Sequence, residues 1–197
     1  MSPLVPRRAV LAWPAALSIL AWSRRGRAEG VTVPPSLQAS LTAKLGAFDR
    51  NLPARSAGVA RVLVVTRPGE PSSQRVAREF QAALRGVPTI AGLPSELAEL
   101  SYEGTAPLVS RIREGRASMV YFAAGFVSDA ASLGGALRGQ DVLSICAEPA
   151  AVARGIAVGF DLVSGQPKIL VNLAQARAQN VALTGALLSL ALIVGGA

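Results

Sequence analysis

The chain has 197 residues, 51 % of them hydrophobic and 16 % charged, a balance that fits one folded domain and excludes a disordered chain. Its net charge of +8 raises the question of nucleic acid, but five of the twenty basic residues (Arg7, Arg8, Arg24, Arg25 and Arg27) precede Glu29, the first acidic residue; the remaining fifteen face twelve acidic ones, a net of only +3. Aromatic residues are 5 % of the chain and no basic run is interleaved with them after Arg27, so neither a phosphate-tracking groove nor a base-stacking platform is expected.

Arg7 and Arg8 lead into an apolar stretch from Ala9 to Trp22, and Gly26-Arg27-Ala28 then places small residues where a signal peptidase reads. The stretch is 14 residues long, short of the roughly 20 that span a bilayer. A cleaved signal peptide over 1–28 is therefore expected, with cleavage near Ala28, a periplasmic destination and one α/β domain over 29–197. The arginine pair suits a twin-arginine route, although the flanking residues match that pattern loosely, and the route is left open.

After Pro34-Pro35, apolar residues recur at Leu37, Leu41, Leu45 and Phe48, the spacing of a first helix with these four inward. Arg61 to Thr66 is a short continuous apolar run and reads as a strand buried on both faces. A helix follows from about Ser72, with Val76, Phe80 and Leu84 inward. Glu96, Glu99 and Glu103 read as a solvated acidic face beside a turn. Thr105 to Glu114 is the next helix, Ala117 to Phe122 the next strand, Ser128 to Leu137 a helix and Asp141 to Cys146 a strand. This alternation implies a mostly parallel, doubly wound sheet with helices on both faces.

The pattern changes after Gly155. Ile156 to Val163 and Lys168 to Leu173 flank Ser164-Gly-Gln-Pro167, the signature of a C-terminal antiparallel hairpin. Asn172 is placed to cap a helix over Ala174 to Gln179, and the uncharged run Ala182 to Val194 reads as a closing core helix, again too short to span a membrane. These segments, Ile156-Ala-Val-Gly-Phe, Lys168-Ile-Leu-Val-Asn-Leu-Ala174, Ala176 and Leu187-Leu-Ser-Leu-Ala191, resemble the closing signature of the YfiR-like (YfiR/HmsC) family. The resemblance implies a periplasmic α/β domain that regulates an inner-membrane signalling protein, in the best-known members a diguanylate cyclase. Those members carry cysteine pairs. Here Cys146 stands alone, so control through such a pair has no counterpart, and its position in an apolar run reads as a buried, inert thiol.

Chemistry is sparse. Histidine is absent, which removes Ser-His-Asp triads, Cys-His dyads and the usual zinc ligands; no catalytic residue, metal or cofactor is expected. In an open parallel sheet, ligands gather at the carboxyl ends of the strands. That edge comprises Thr66 to Ser73, Ala123 to Asp129 and Cys146 to Pro149. Arg67 offers a charge for a small anionic ligand, Ser72 or Ser73 could cap the next helix, and Gly125 lies in the facing loop. Phe126 reads either as an exposed anchor for a partner or as packing beneath its loop. Arg111, Arg113 and Arg116 face either an acidic partner or lipid headgroups, or else complement their own helix dipole. Two functional readings remain, a regulator of an inner-membrane signalling protein of the diguanylate cyclase or sensor kinase type, and a small-ligand-binding protein serving a transporter. Monomer and homodimer are both compatible with the sequence.

Overall fold

The computed structural model describes residues 31–195, so the signal peptide expected over 1–28 lies outside the described residues. Its elements run α1 (Pro35–Gly46), α2 (Leu52–Ser56), β1 (Ala60–Thr66), α3 (Pro71–Arg85), β2 (Thr89–Ile90), β3 (Leu93–Ser101), α4 (Thr105–Glu114), β4 (Met119–Phe122), α5 (Ala130–Leu137) and β5 (Leu143–Cys146). A single 3-10 turn, Pro149–Ala151, leads to β6 (Val158–Val163), β7 (Gln166–Val171), α6 (Leu173–Ala178), α7 (Gly185–Leu188) and β8 (Leu192–Ile193). The strands form one sheet in the order β2-β3-β1-β4-β5-β6-β7-β8. β3, β1, β4, β5 and β6 are mutually parallel, and β7 returns antiparallel to β6.

The two-residue period of the strands divides the core in two. Val62 and Val64 of β1, Met119 and Tyr121 of β4, and Leu143 and Ile145 of β5 face a layer holding Val76, Phe80 and Leu84 of α3 and Leu45 of α1. Leu63, Val65, Val120 and Phe122 face the other way, onto Leu108 and Ile112 of α4 and Leu133 and Leu137 of α5. Because both faces are covered, β4 and β5 are buried along their whole length, which is why β4 reads as an unbroken apolar run and β5 as one interrupted only by Ser144, whose hydroxyl accepts from the Ala157 N–H at 3.0 Å.

Four expectations are corrected. The inward face of α1 is turned by about one residue: Leu37 is 37 % exposed, whereas Gln38, Ala39, Thr42 and Leu45 are buried. Glu96 and Glu99 are solvated beside a turn as expected, but they lie on a strand the sequence did not show, the nine-residue β3, reached through a two-residue hairpin whose Ala91 and Gly92 both have positive φ (53° and 79°). In the later hairpin the link is Ser164-Gly165 alone, since Val163 already pairs with Gln166 and Leu162 with Pro167. The closing helix over Ala182 to Val194 does not form. Leu183 bridges to Asp49, the Arg50 N–H donates to the Ala182 carbonyl, α7 lasts four residues, and Leu192 and Ile193 pair with Leu170 and Val171 of β7. Asn172 caps as expected, its side chain accepting from the Gln175 N–H at 3.0 Å.

Candidate functional site

The chain leaves β1 through α3 to β3 on one side and returns through α4 to β4 on the other, so the sheet reverses direction between β1 and β4. At such a point the loops beyond the two strands diverge and open a crevice. Here the loop after β1 contributes Arg67 and Glu70, the loop after β4 contributes Gly125, Phe126 and Asp129, and the loop after β5 contributes Glu148.

Glu148 holds this edge together. One of its carboxylate oxygens accepts from the Gly125 N–H at 2.8 Å and the Phe126 N–H at 3.1 Å, while the residue is only 6 % exposed. Two adjacent amides of this kind form a concavity for an anion, and the protein fills it with its own carboxylate. Burial pushes the Glu148 carboxyl above its ordinary value; the two amides and Arg67 oppose that shift, and Glu70 adds to it. Gly125 has φ +93°, and a Cβ there would lie 2.2 Å from a Glu70 carboxylate oxygen, so this loop approaches Glu70 as only glycine permits.

Arg67 is committed within the protein. Its guanidinium pairs with Asp129 and lies 3.6 Å from Glu70, with its carbon 4.9 Å from the Phe126 ring centroid and 5.9 Å from that of Tyr102. Two carboxylates thus flank one guanidinium, and Arg67 does not stand free to meet an anion. The serines are corrected as well: α3 begins at Pro71, the buried Ser73 hydroxyl accepts from the Arg67 N–H at 2.9 Å, and the Ser72 hydroxyl donates to Glu70 at 3.0 Å. Phe126 is fully buried, edge-on to Tyr102 at 5.3 Å and 82°; of its two readings, packing beneath the loop is the one adopted.

Beside this cluster lies a crevice of about 470 Å³ lined by Thr32, Val33, Glu70, Ser72, Arg75 and Ala124. Its outer wall is the segment before α1, and Gln38 fixes that segment by donating to the Val33 carbonyl at 2.9 Å and to the Ala147 carbonyl at 3.2 Å. The Gln38 side-chain oxygen accepts from Tyr121, whose ring stacks on Phe80 at 3.6 Å. Arg67, Ser72, Ser73 and Gly125 are therefore brought together as the sequence suggested. Arg111 and Arg113 sit at the opposite edge of the sheet, where Arg113 donates to Gln140 at 2.9 Å and Arg111 lines a smaller cavity of about 180 Å³ with Arg61. Sequence reasoning flagged the loops that carry Glu70, Asp129 and Glu148 but not these carboxylates; acidic residues just beyond strand ends, where helix N-termini begin, were the available signal. Gln38 and Tyr121 gave none, since each reads as an ordinary member of its element.

The doubly wound α/β architecture with a crevice at its point of reversal recurs among solved structures, which match this chain at the level of fold. They include an ABC domain from Streptococcus pneumoniae in complex with L-Trp (13 % identity, TM-score 0.56, covering 79 % of this chain and 61 % of that one). A conserved domain protein from Vibrio cholerae O1 biovar El Tor matches at 14 % identity and TM-score 0.56, over 82 % of this chain and 60 % of that one. A ligand-free, open substrate-binding protein with adhesive properties from Clostridium difficile matches at 12 % and 0.56, over 75 % and 58 %. The chain spans about three fifths of the length of these neighbours. No curated protein matches it significantly. The family model described as YfiR/HmsC-like matches residues 50–192, and the chain belongs to that family. α1 and the segment before it lie outside the matched range.

Proposed function

We propose that this protein is a non-enzymatic regulator of the periplasm that binds the periplasmic part of an inner-membrane signalling protein, of the diguanylate cyclase or sensor kinase type. The observation that carries this reading is membership of the YfiR/HmsC-like family over residues 50–192. The chemistry of the reversal point supports it, because Arg67, Glu70, Asp129 and Glu148 bond to one another and to loop amides and so serve to fix the loops. Export by the segment over 1–28 belongs to the same reading. The test is capture of detergent-solubilised envelope membranes on the tagged protein, read by mass spectrometry. Enrichment of a cyclase or sensor kinase supports the proposal, and a blank with folded bait removes it.

The crevice of about 470 Å³ favours a second reading, a small-ligand-binding protein that serves a transporter. A ligand there meets Ser72, Arg75 and the Val31–Pro34 segment, and for a small anion Arg75 is the basic side chain on the crevice wall. A melting temperature that does not move across a metabolite panel would sink this reading.

A further inference from the structure

We infer that the open edge of β3 is a docking site for an extended acidic segment of a partner protein, which adds to the sheet as its next strand. The inference deepens the binding function proposed above by naming its surface and the chemistry of its partner.

β2 covers only the first two residues of β3, pairing Thr89 with Pro94 and Ile90 with Leu93. Beyond them the Ser95 hydroxyl donates to the Val87 carbonyl at 3.1 Å, and Pro88 has no N–H to continue a ladder. From Leu97 to Ser101 nothing among the described residues pairs with β3 on this side. The Tyr102 N–H points to the other side, donating to Thr66 at 2.8 Å. In a parallel ladder alternate residues bond to opposite neighbours, so the N–H and C=O groups of Leu97, Glu99 and Ser101 face the open edge. A row of this kind is the template on which β-strand addition works, the backbone supplying affinity and alternate side chains supplying specificity.

The edge has an opening on each face. On the α4 side lies the cavity of about 180 Å³, with Leu63 and Ala98 as floor and Arg61 and Arg111 at its rim. On the α3 side Arg85, Val87 and Leu97 line a second opening. Side chains of an added strand alternate in direction, so one row faces each opening.

Charge selects the occupant. The carboxylates of β3 are already engaged, Glu96 with Arg61 at 3.0 Å and Glu99 with the Gln81 amide at 2.7 Å. Arg111 is exposed and has no ion-pair partner among the described residues, and Arg85 bonds only to the neutral Gln81 side chain at 3.1 Å. On the α3 side Gln81 bridges Arg85 and Glu99, whose charges balance, and the uncompensated charge is Arg111 on the α4 side; the acidic row of an added strand therefore faces Arg111 and its apolar row faces Val87 and Leu97. A second copy fits less well, since antiparallel self-pairing centred on the free stretch sets Glu99 against its own symmetry mate, and like charges directly opposite are unfavourable.

The experiment measures fluorescence anisotropy of a synthetic peptide alternating valine with glutamate, titrated with the full chain beside a valine–lysine control. The expected result is saturable binding of the glutamate peptide alone, weakened about tenfold by Arg111→Glu. Ser101→Pro, which deletes an outward N–H at an exposed edge position, weakens it comparably with the circular dichroism spectrum unchanged. Absence of saturable binding, equal binding of both peptides, or indifference to these substitutions overturns the proposal. So does a homodimer that Ser101→Pro dissociates. Peptide binding without capture of a membrane signalling protein would fail the regulatory reading alone, and capture that survives both substitutions would fail the edge alone.

Discussion

Glu148 is the residue on which most of the crevice geometry depends. Its carboxyl is held above the ordinary 4.5 chiefly by burial, so the folded state takes up a proton more readily than the unfolded one. The stability linked to this group is therefore greatest in acid and is lost as pH rises through the raised value. Glu148→Gln keeps an acceptor for the Gly125 and Phe126 amides and removes the charge. Urea midpoints measured from the acid range to neutrality are expected to fall for the wild type relative to this variant, and parallel curves would contradict the assignment. Glu148→Ala leaves both amides without their acceptor and is expected to cost about 1–3 kcal/mol at neutral pH. Gly125→Ala combines a positive φ with an overlap on Glu70 and is expected to destabilise by about 1–3 kcal/mol in the same assay, whereas Gly135→Ala, where an added Cβ meets nothing, is its control.

At the scale of elements, the link between the α1–α2 turn and the C-terminal segment is the most exposed to test. Arg55 and Asp49 form an ion pair with side chains 2 % and 0 % exposed; Asp49 also accepts from the Asn51 and Ala182 N–H groups, both at 3.1 Å, and Arg55 donates to the Asn180 carbonyl at 3.1 Å. These bonds hold residues 180–184 against the start of the domain and keep the Ala182–Val194 run from coiling as its composition favours. Arg55→Met strands the buried Asp49 charge and is expected to cost about 3–5 kcal/mol by chemical denaturation. Asn172 joins two elements more locally, capping α6 and donating to the Val152 carbonyl at 3.0 Å, so Asn172→Ala is expected to lose about 0.5–2 kcal/mol.

For the whole molecule, Cys146 is a built-in reporter. It is the one cysteine of the chain, 1 % exposed at the end of β5, its sulfur 3.2 Å from the Glu148 carbonyl, and burial raises its thiol well above the ordinary range. A disulfide reagent is expected to label it only when the sheet opens, with the labelling rate tracking the unfolding equilibrium and the melting temperature indifferent to reductant. Rapid labelling of the folded protein would show a local opening at the crevice instead.

The sequence determined the alternation of elements, the split of apolar residues between two faces, the C-terminal hairpin, the Asn172 cap and the family, because each is written in local periodicity or short-range spacing. It placed Arg67, Ser72, Ser73 and Gly125 at one edge for the same reason, since the end of a buried strand is legible as the end of an apolar run. Only the tertiary structure decided what those residues do. Arg67 is matched by carboxylates 3 and 62 positions away, and Glu148 by amides 22 and 23 positions before it. β3 was hidden because an edge strand with Pro94, Glu96 and Glu99 has too few apolar residues to signal itself and is defined by β1 beside it. The C-terminal run was misread because helix propensity is worth tenths of a kcal/mol per residue, less than the pairing with Asp49 and β7 that overrides it.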